Sequence, residues 1–272
     1  MSRPFEAASQ SGGRSPLSPT AEPNSPACGV LACWDGSTST GHAGVPPPAL
    51  EAAVRIGIIG AGNIGSALTR GFTALGHEVS VANSRGPETL VDLAAATGAS
   101  AVTVGDAANG ADVVIVTIPE KSVPDLPAGF LDGAAQAAVV IDTGNYYPQR
   151  DGRIEAIENG MTESRWVSRQ IGHPLVKAFN NIQAQHLAEL GRPPRTPGRI
   201  ALPVAGDDEA SKAVVMGLVD ELGFDPIDAG SLDESWRQQP GSPVYARDYD
   251  ADGVRRALAE ATPERGPDFR HA

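Results

Sequence analysis

Val54-Arg55-Ile56-Gly57-Ile58-Ile59-Gly60-Ala61-Gly62-Asn63-Ile64-Gly65 decides the fold of this chain. Its first six residues form a short, mostly apolar run that leads into Gly60, and it reads as a buried parallel strand. A helical pattern follows to about Leu75, where Gly76 suits a left-handed helix end. A second strand is expected at residues 79–82. Strand, GxGxxG, helix and strand within one βαβ unit predict a dinucleotide-binding turn. Each glycine has its own physical role there. Gly60 permits the tight turn out of the strand, Gly62 lets a pyrophosphate approach the backbone, and Gly65 lets the helix pack on the strand. The helix start adds free N–H groups and a partial positive charge for phosphate.

The end of the second strand predicts which dinucleotide is bound. A binder of NAD usually places Asp or Glu there for the ribose 2′-hydroxyl. This chain reads Asn83-Ser84-Arg85-Gly86, and Glu78 lies at the wrong end of the strand. Arg85 is able to pair with a 2′-phosphate, and the Asn83 and Ser84 side chains to donate to it. NADP(H) is therefore expected over NAD(H). The alternative is that Arg85 is a solvated turn residue.

Further strands are expected at 101–104, 113–117, 139–141 and 175–179. Ligands of open α/β sheets sit beyond the carboxyl ends of the strands. Thr117-Ile118-Pro119, Thr143-Gly144-Asn145 and residues 178–181 should thus face one crevice. Beyond residue 182 the pattern predicts a helix at 183–190, a Pro/Arg loop at 192–197, a strand at 200–205, a helix at 208–222 and a strand at 224–228. Trp236 and Tyr245 read equally as stacking partners for a planar ligand and as packing anchors. The expected fold class is α/β: a Rossmann-type doubly wound parallel sheet over 53–182, and a smaller C-terminal α/β domain over 183–272 that closes the cleft.

The 272 residues carry 21 Lys and Arg against 33 Asp and Glu, a formal charge of −12. That balance argues against nucleic acid and against anionic membrane surfaces as partners. No apolar run approaches the ~18 residues of a membrane span. No basic stretch leads into an apolar one at the N-terminus, so a cytoplasmic protein is expected. Residues 1–52 hold 8 of the 23 prolines, among Ser, Thr, Gly and Ala. They lack periodicity and are expected to be a disordered extension. Their abrupt end at Val54 also fits a start site assigned too far upstream. Both cysteines, Cys28 and Cys33, fall in this segment, so thiol catalysis and cysteine-held metals are excluded from 53–272. His77, His173 and His186 lack metal-ligand spacing, so no metal is expected.

Residues 54–262 carry a family resemblance. GIIGAGNIG (57–65) and ANSRGPETL (82–90) resemble the NADP oxidoreductases that use the deazaflavin coenzyme F420. DTGNYYP (142–148), VKAFNNI (176–182), ALPVAGDD (201–208) and ESWRQQPGSPVY (234–245) are similar to a longer bacterial branch of the same family. The resemblance implies hydride transfer between stacked nicotinamide and deazaflavin rings, with the protein supplying orientation and water exclusion. It also implies that Ala61, Gly62, Asn63 and Ile64 hold the pyrophosphate, and Ser84 and Arg85 the 2′-phosphate. Ile118 and Pro119 would lie against the nicotinamide ribose, and Ala178 would border the nicotinamide. No dedicated acid or base is demanded, so no catalytic side chain is assigned. The second partner is a small-molecule redox partner: F420, or in its place a flavin or a metal chelate. A homodimer is compatible with this reading.

Two other functions stand beside it. Lys177, Asn180 and Asn181 have a K-x-x-N-N spacing, and on a helix Lys177 would serve as the acid/base of a β-hydroxyacid dehydrogenase or an imine-reducing enzyme. Against this, residues 175–179 look more like a strand, and only 90 residues follow Ile182. Alternatively the chain binds NADP(H) as a sensor without catalysis.

Overall fold

The structure is a computed structural model, and it describes residues 53–270. The extension expected to be disordered, with Cys28 and Cys33, lies outside the described residues. Eight strands form one sheet: β1 (Arg55–Ile59), β2 (Glu78–Ala82), β3 (Ser100–Ala101), β4 (Val113–Val116), β5 (Val139–Asp142), β6 (Val176–Lys177), β7 (Ala201–Gly206) and β8 (Asp225–Asp228). Nine α-helices accompany them among the described residues: α1 (Asn63–Ala74), α2 (Val91–Thr97), α3 (Val104–Ala107), α4 (Pro148–Asp151), α5 (Glu155–Glu158), α6 (Glu163–Ile171), α7 (Ala184–Glu189), α8 (Glu209–Glu221) and α9 (Ala251–Glu260).

The strand order is β3-β2-β1-β4-β5-β6-β7-β8. β1 to β6 run parallel, β7 is antiparallel to β6, and β8 is parallel to β7. The first six positions have the order of a doubly wound dinucleotide fold. The expected fold class holds.

Alternation along the central strands builds two cores. Ile56, Ile58 and Ile115 join Leu68 and Phe72 of α1 and Val215 and Leu218 of α8 on one face. Ile59, Val114, Val116 and Val140 join Ala107 of α3 and Trp166 and Val167 of α6 on the other. Gly57 lets α3 sit directly on β1, because a Cβ there would lie 2.0 Å from the Ala107 carbonyl oxygen.

Two strand expectations need correction. The third strand, expected at 101–104, is only Ser100–Ala101. The Thr103 side chain caps Asp106 N–H and draws Val104 into α3. The sixth, expected at 175–179, is only Val176–Lys177 and stops before Phe179, whose φ of 61° no strand accommodates. The amphipathic helices α6 and α9 were not anticipated. Residues beyond 182, expected as a smaller α/β domain, contribute β7, α8 and β8, and these join the sheet edge to edge through Val176↔Gly206 and Lys177↔Ala205. No helix among the described residues is long and apolar enough to cross a membrane.

Candidate cofactor and acceptor site

The parallel register brings the predicted residues to one edge of the sheet. Ile59 pairs with Ala82 and Val116, Val116 with Asp142, and Asp142 with Lys177. Gly60, Asn83, Thr117, Thr143 and Ala178, each the next residue in its strand, therefore line up along the carboxyl ends. Ile118, Pro119 and Asn145 follow in the connecting loops.

The glycine turn behaves as its spacing predicts. Gly60 has φ 115°, and a Cβ there would lie 2.2 Å from the Thr117 carbonyl oxygen. A Cβ at Gly65 would lie 1.9 Å from the Gly60 carbonyl oxygen. At Gly62 it would meet nothing within 4 Å, so the space before the turn is open. Gly62 caps α1 without a side-chain bond, and no carboxylate stands in the first helical turn. Ser66 N–H donates to the Gly62 carbonyl, leaving Asn63, Ile64 and Gly65 N–H without intrahelical acceptors. Ala61 and Ile64 are half-buried beside these N–H groups. This cradle fits a pyrophosphate.

The loop after β2 is divided in its use. Asn83 Oδ1 accepts from Arg85 N–H at 2.9 Å, and Asn83 Nδ2 donates to Thr89 Oγ1 at 2.9 Å. Asn83 thus shapes the turn, and its second Nδ2 hydrogen is uncommitted among the described residues. Ser84 and Arg85 are exposed, and the Arg85 guanidinium has no partner among the described residues. Glu88 brings both carboxylate oxygens within 2.5 Å of where a Gly86 Cβ would stand.

Ile118, Pro119 and Asn145 are half-buried at the mouth. Thr143 is buried, and Ala178 is fully enclosed in the apolar core on the α1 face. The Ala178 methyl therefore sits among core side chains, not in a crevice. Behind the mouth, Asn145 Nδ2 donates to the Asn180 carbonyl, and Asn180 Nδ2 donates to the Gln238 carbonyl at 2.7 Å. Gln238 Nε2 donates back to Asn180 Oδ1 at 3.0 Å. The Tyr147 and Tyr245 hydroxyls bond each other, and burial is the first cause that pushes the Tyr245 phenol well above its ordinary value. The Trp236 ring carries the Arg237 guanidinium 4.4 Å from its centroid. Both aromatic residues are engaged within the protein.

A buried ionic cluster lies under the ends of β4, β5 and β6, and sequence reasoning missed it. Lys177 is fully buried, and its Nζ donates to Asp142 Oδ2 at 3.0 Å and to the Gly144 carbonyl. Asp142 Oδ2 also accepts from Ser164 Oγ at 2.7 Å, and Oδ1 from Gly144 N–H at 2.8 Å. Burial alone would push the Lys177 ammonium down, but Asp142 and then Glu163 outweigh it and hold it above its ordinary value. Glu163 of α6 pairs with Arg265. The available signal was a lysine, one of only three in the chain, beside a strand that ends in Asp.

This placement argues against the alternative built on Lys177. Lys177 belongs to a strand, so it shares no helix face with Asn180. Its enclosed ammonium is committed to Asp142, and it offers no proton to a ligand in the cleft. Among the described residues no group of three or more His, Cys, Asp and Glu is arranged to hold a metal ion. His77 sits in the turn before β2 as expected, with Nδ1 accepting from Val54 N–H and Nε2 bonded to Glu221.

Residues 55–146 match the profile of a family described as NADP oxidoreductase, coenzyme F420-dependent. A crystal structure of the hypothetical protein SMa0349 from Sinorhizobium meliloti is 33% identical, with a TM-score of 0.62, over 74% of this chain and 97% of that one. A protein from Arthrobacter sp. FB24, provisionally named an F420-dependent NADP reductase, is 23% identical with a TM-score of 0.57, over 68% of this chain and 88% of that one. Among curated proteins, YjhV of Escherichia coli K12 is 51% identical over 61 residues, which are 22% of this chain and 44% of YjhV. The chain thus matches less than half the length of that relative.

Proposed function

The chain belongs to the coenzyme F420-dependent NADP oxidoreductase family, and from this premise we propose that it transfers a hydride between NADP(H) and a second, planar redox partner. A deazaflavin of the F420 type is the first choice for that partner, and a flavin the second. The observation that carries the reading is the glycine turn, with open space before Gly62 and the unpartnered Arg85 at the next strand end. The backbone N–H groups of residues 62–65 would hold the pyrophosphate, aided by the α1 dipole. Ser84 and Arg85 would take the 2′-phosphate. Ile118 and Pro119 would wall the nicotinamide end, and Asn145, fixed by Asn180, would border the partner.

The hydride chemistry resides in NADP(H) and its partner, and the chain's task is to orient the two and to exclude water. The side chains at the mouth suit that task. Ile118 and Pro119 are apolar, and the lysine behind them is sealed.

Arg85→Asp should weaken NADPH binding by about 100-fold and NADH binding by less than about threefold, because only the former loses a charge-assisted pair. Equal losses for the two nucleotides, measured by fluorescence titration, would remove the argument for NADP specificity. The reaction itself is tested by anaerobic NADPH oxidation with F420 and FMN in parallel, and NADH as the control donor. F420 reduction with NADPH preferred is the expected outcome. Tight NADPH binding with neither acceptor reduced would leave dinucleotide binding in place and favour a sensor.

A further inference from the structure

We propose that Glu120 is a positioning residue for the nicotinamide end of the cleft, a neutral carboxylic acid wedged between the β4 and β5 loops. The inference rests on the cofactor site described above. Glu120 directly follows Pro119 and opens the 3₁₀ turn Glu120–Asp125. Its side chain is fully buried, and neither carboxyl oxygen has a hydrogen-bond partner. A Cβ on Gly144 would lie 2.6 Å from Glu120 Oε1 and 3.0 Å from Asp142 Oδ1. The two carboxyl groups therefore converge over the loop that carries Thr143 and Asn145.

The count of local charges gives Glu120 its state. Four carboxyl groups with buried side chains, Glu120, Asp142, Asp151 and Glu163, share three cations, Lys177, Arg150 and Arg265. Lys177 is committed to Asp142, and Arg265 to Glu163. Asp151, which also faces the cluster, is paired with Arg150. No cation remains for Glu120, and a buried carboxylate without partner or solvent is among the most unfavourable states a side chain can adopt. Protonation of the unpaired acid is the ordinary resolution. Burial first, and then Asp142, accordingly hold the Glu120 carboxyl well above its usual range.

The consequence reaches the cleft through the backbone. The Lys177 ammonium also holds the Gly144 carbonyl, so it ties the β5 loop to β6. A second anion beside Asp142 would draw Lys177 from that bond or drive the Glu120 side chain toward water. Either movement displaces Pro119 on one side and Gly144 and Asn145 on the other. Protonated Glu120 keeps the two loops in register, and ionised Glu120 releases them.

The sign for stability follows from the raised value. Folding favours protonated Glu120, so its contribution is complete below the unfolded-state value near 4.5 and declines as pH rises toward the folded-state value. Glu120→Gln mimics the neutral acid and is blind to pH. The experiment is NADPH titration of wild type, Glu120→Gln and Glu120→Ala between about pH 6 and about pH 10, with thermal unfolding in parallel.

Wild type should lose NADPH affinity by about tenfold at the alkaline end, while Glu120→Gln holds its neutral-pH affinity throughout. Glu120→Gln should also gain a Tm advantage over wild type that grows with pH, to about 5 °C. Glu120→Ala should bind weakly at every pH. Parallel pH profiles for wild type and Glu120→Gln, with NADPH still bound, would overturn the positioning role and leave the cofactor site standing. A wild type that never binds NADPH, yet whose Tm alone shows the Glu120→Gln difference, would overturn both the cofactor reading and the positioning role.

Discussion

Gly62→Val should abolish NADPH binding, by 100-fold or more in Kd, while moving Tm by less than about 2 °C. The two halves of this expectation have separate causes. A Cβ at Gly62 meets no protein atom within 4 Å, so the folded chain has room for the new side chain. Gly62 has φ −74°, which valine adopts without strain. The valine instead fills the space through which a pyrophosphate would reach the N–H groups of α1. Gly65→Ala is the contrasting variant. Its Cβ would lie 1.9 Å from the Gly60 carbonyl oxygen, so α1 must move off β1 at about 2–4 kcal/mol. Circular dichroism melts and NADPH fluorescence separate the pair. A Gly62→Val protein that binds NADPH normally would place the dinucleotide elsewhere.

Lys177→Met should destabilise the fold by about 3–5 kcal/mol, a fall in Tm of roughly 10 °C. The methionine has similar length and fits an apolar surrounding, so lost packing is small. The damage is electrostatic: Asp142 keeps Ser164 and Gly144 N–H but loses its only cation, in a site that water does not reach. Removing both charges tests this. Asp142→Asn with Lys177→Met should recover at least half of the loss, because no unpaired ion remains. Denaturant melts of the two single variants and the double variant form the cycle, and additive losses would contradict a coupled pair. The same variants discriminate against substrate chemistry at Lys177, which predicts lost turnover in a protein of unchanged stability.

The Rossmann half of the fold was legible because its signals are local. Apolar runs ending at Gly60, Asn83 and Thr117 state where strands stop, and glycine spacing states where the helix begins. Thr103 and Phe179 show where this reading fails. The expected third strand yields to a side-chain cap that forms only when Asp106 folds back, and the sixth strand breaks at a left-handed phenylalanine that no periodicity announces. The geometry of the glycine turn was legible for the same reason, since Gly60 and Gly65 set it through their own backbone. Glu120, Asp142 and Lys177 were opaque, because their meaning lies in meeting one another across three strands. Ala178 was misjudged for a related reason: which face a residue presents just past a strand end depends on how the following turn is wound.

The strand order also bears on synthesis. β1 stands between β2 and β4, and both neighbours emerge from the ribosome after it. Ile56 has to wait for Val113 before its second edge is covered. Throughout that delay a nascent chain carries Ile56, Ile58 and Ile59 on an unpaired edge, the kind of surface on which chains adhere to one another. Arg55, exposed and paired in the finished fold with Asp112, stands at the head of that segment as a charged gatekeeper. Its partner arrives one residue before the strand that ends the exposure.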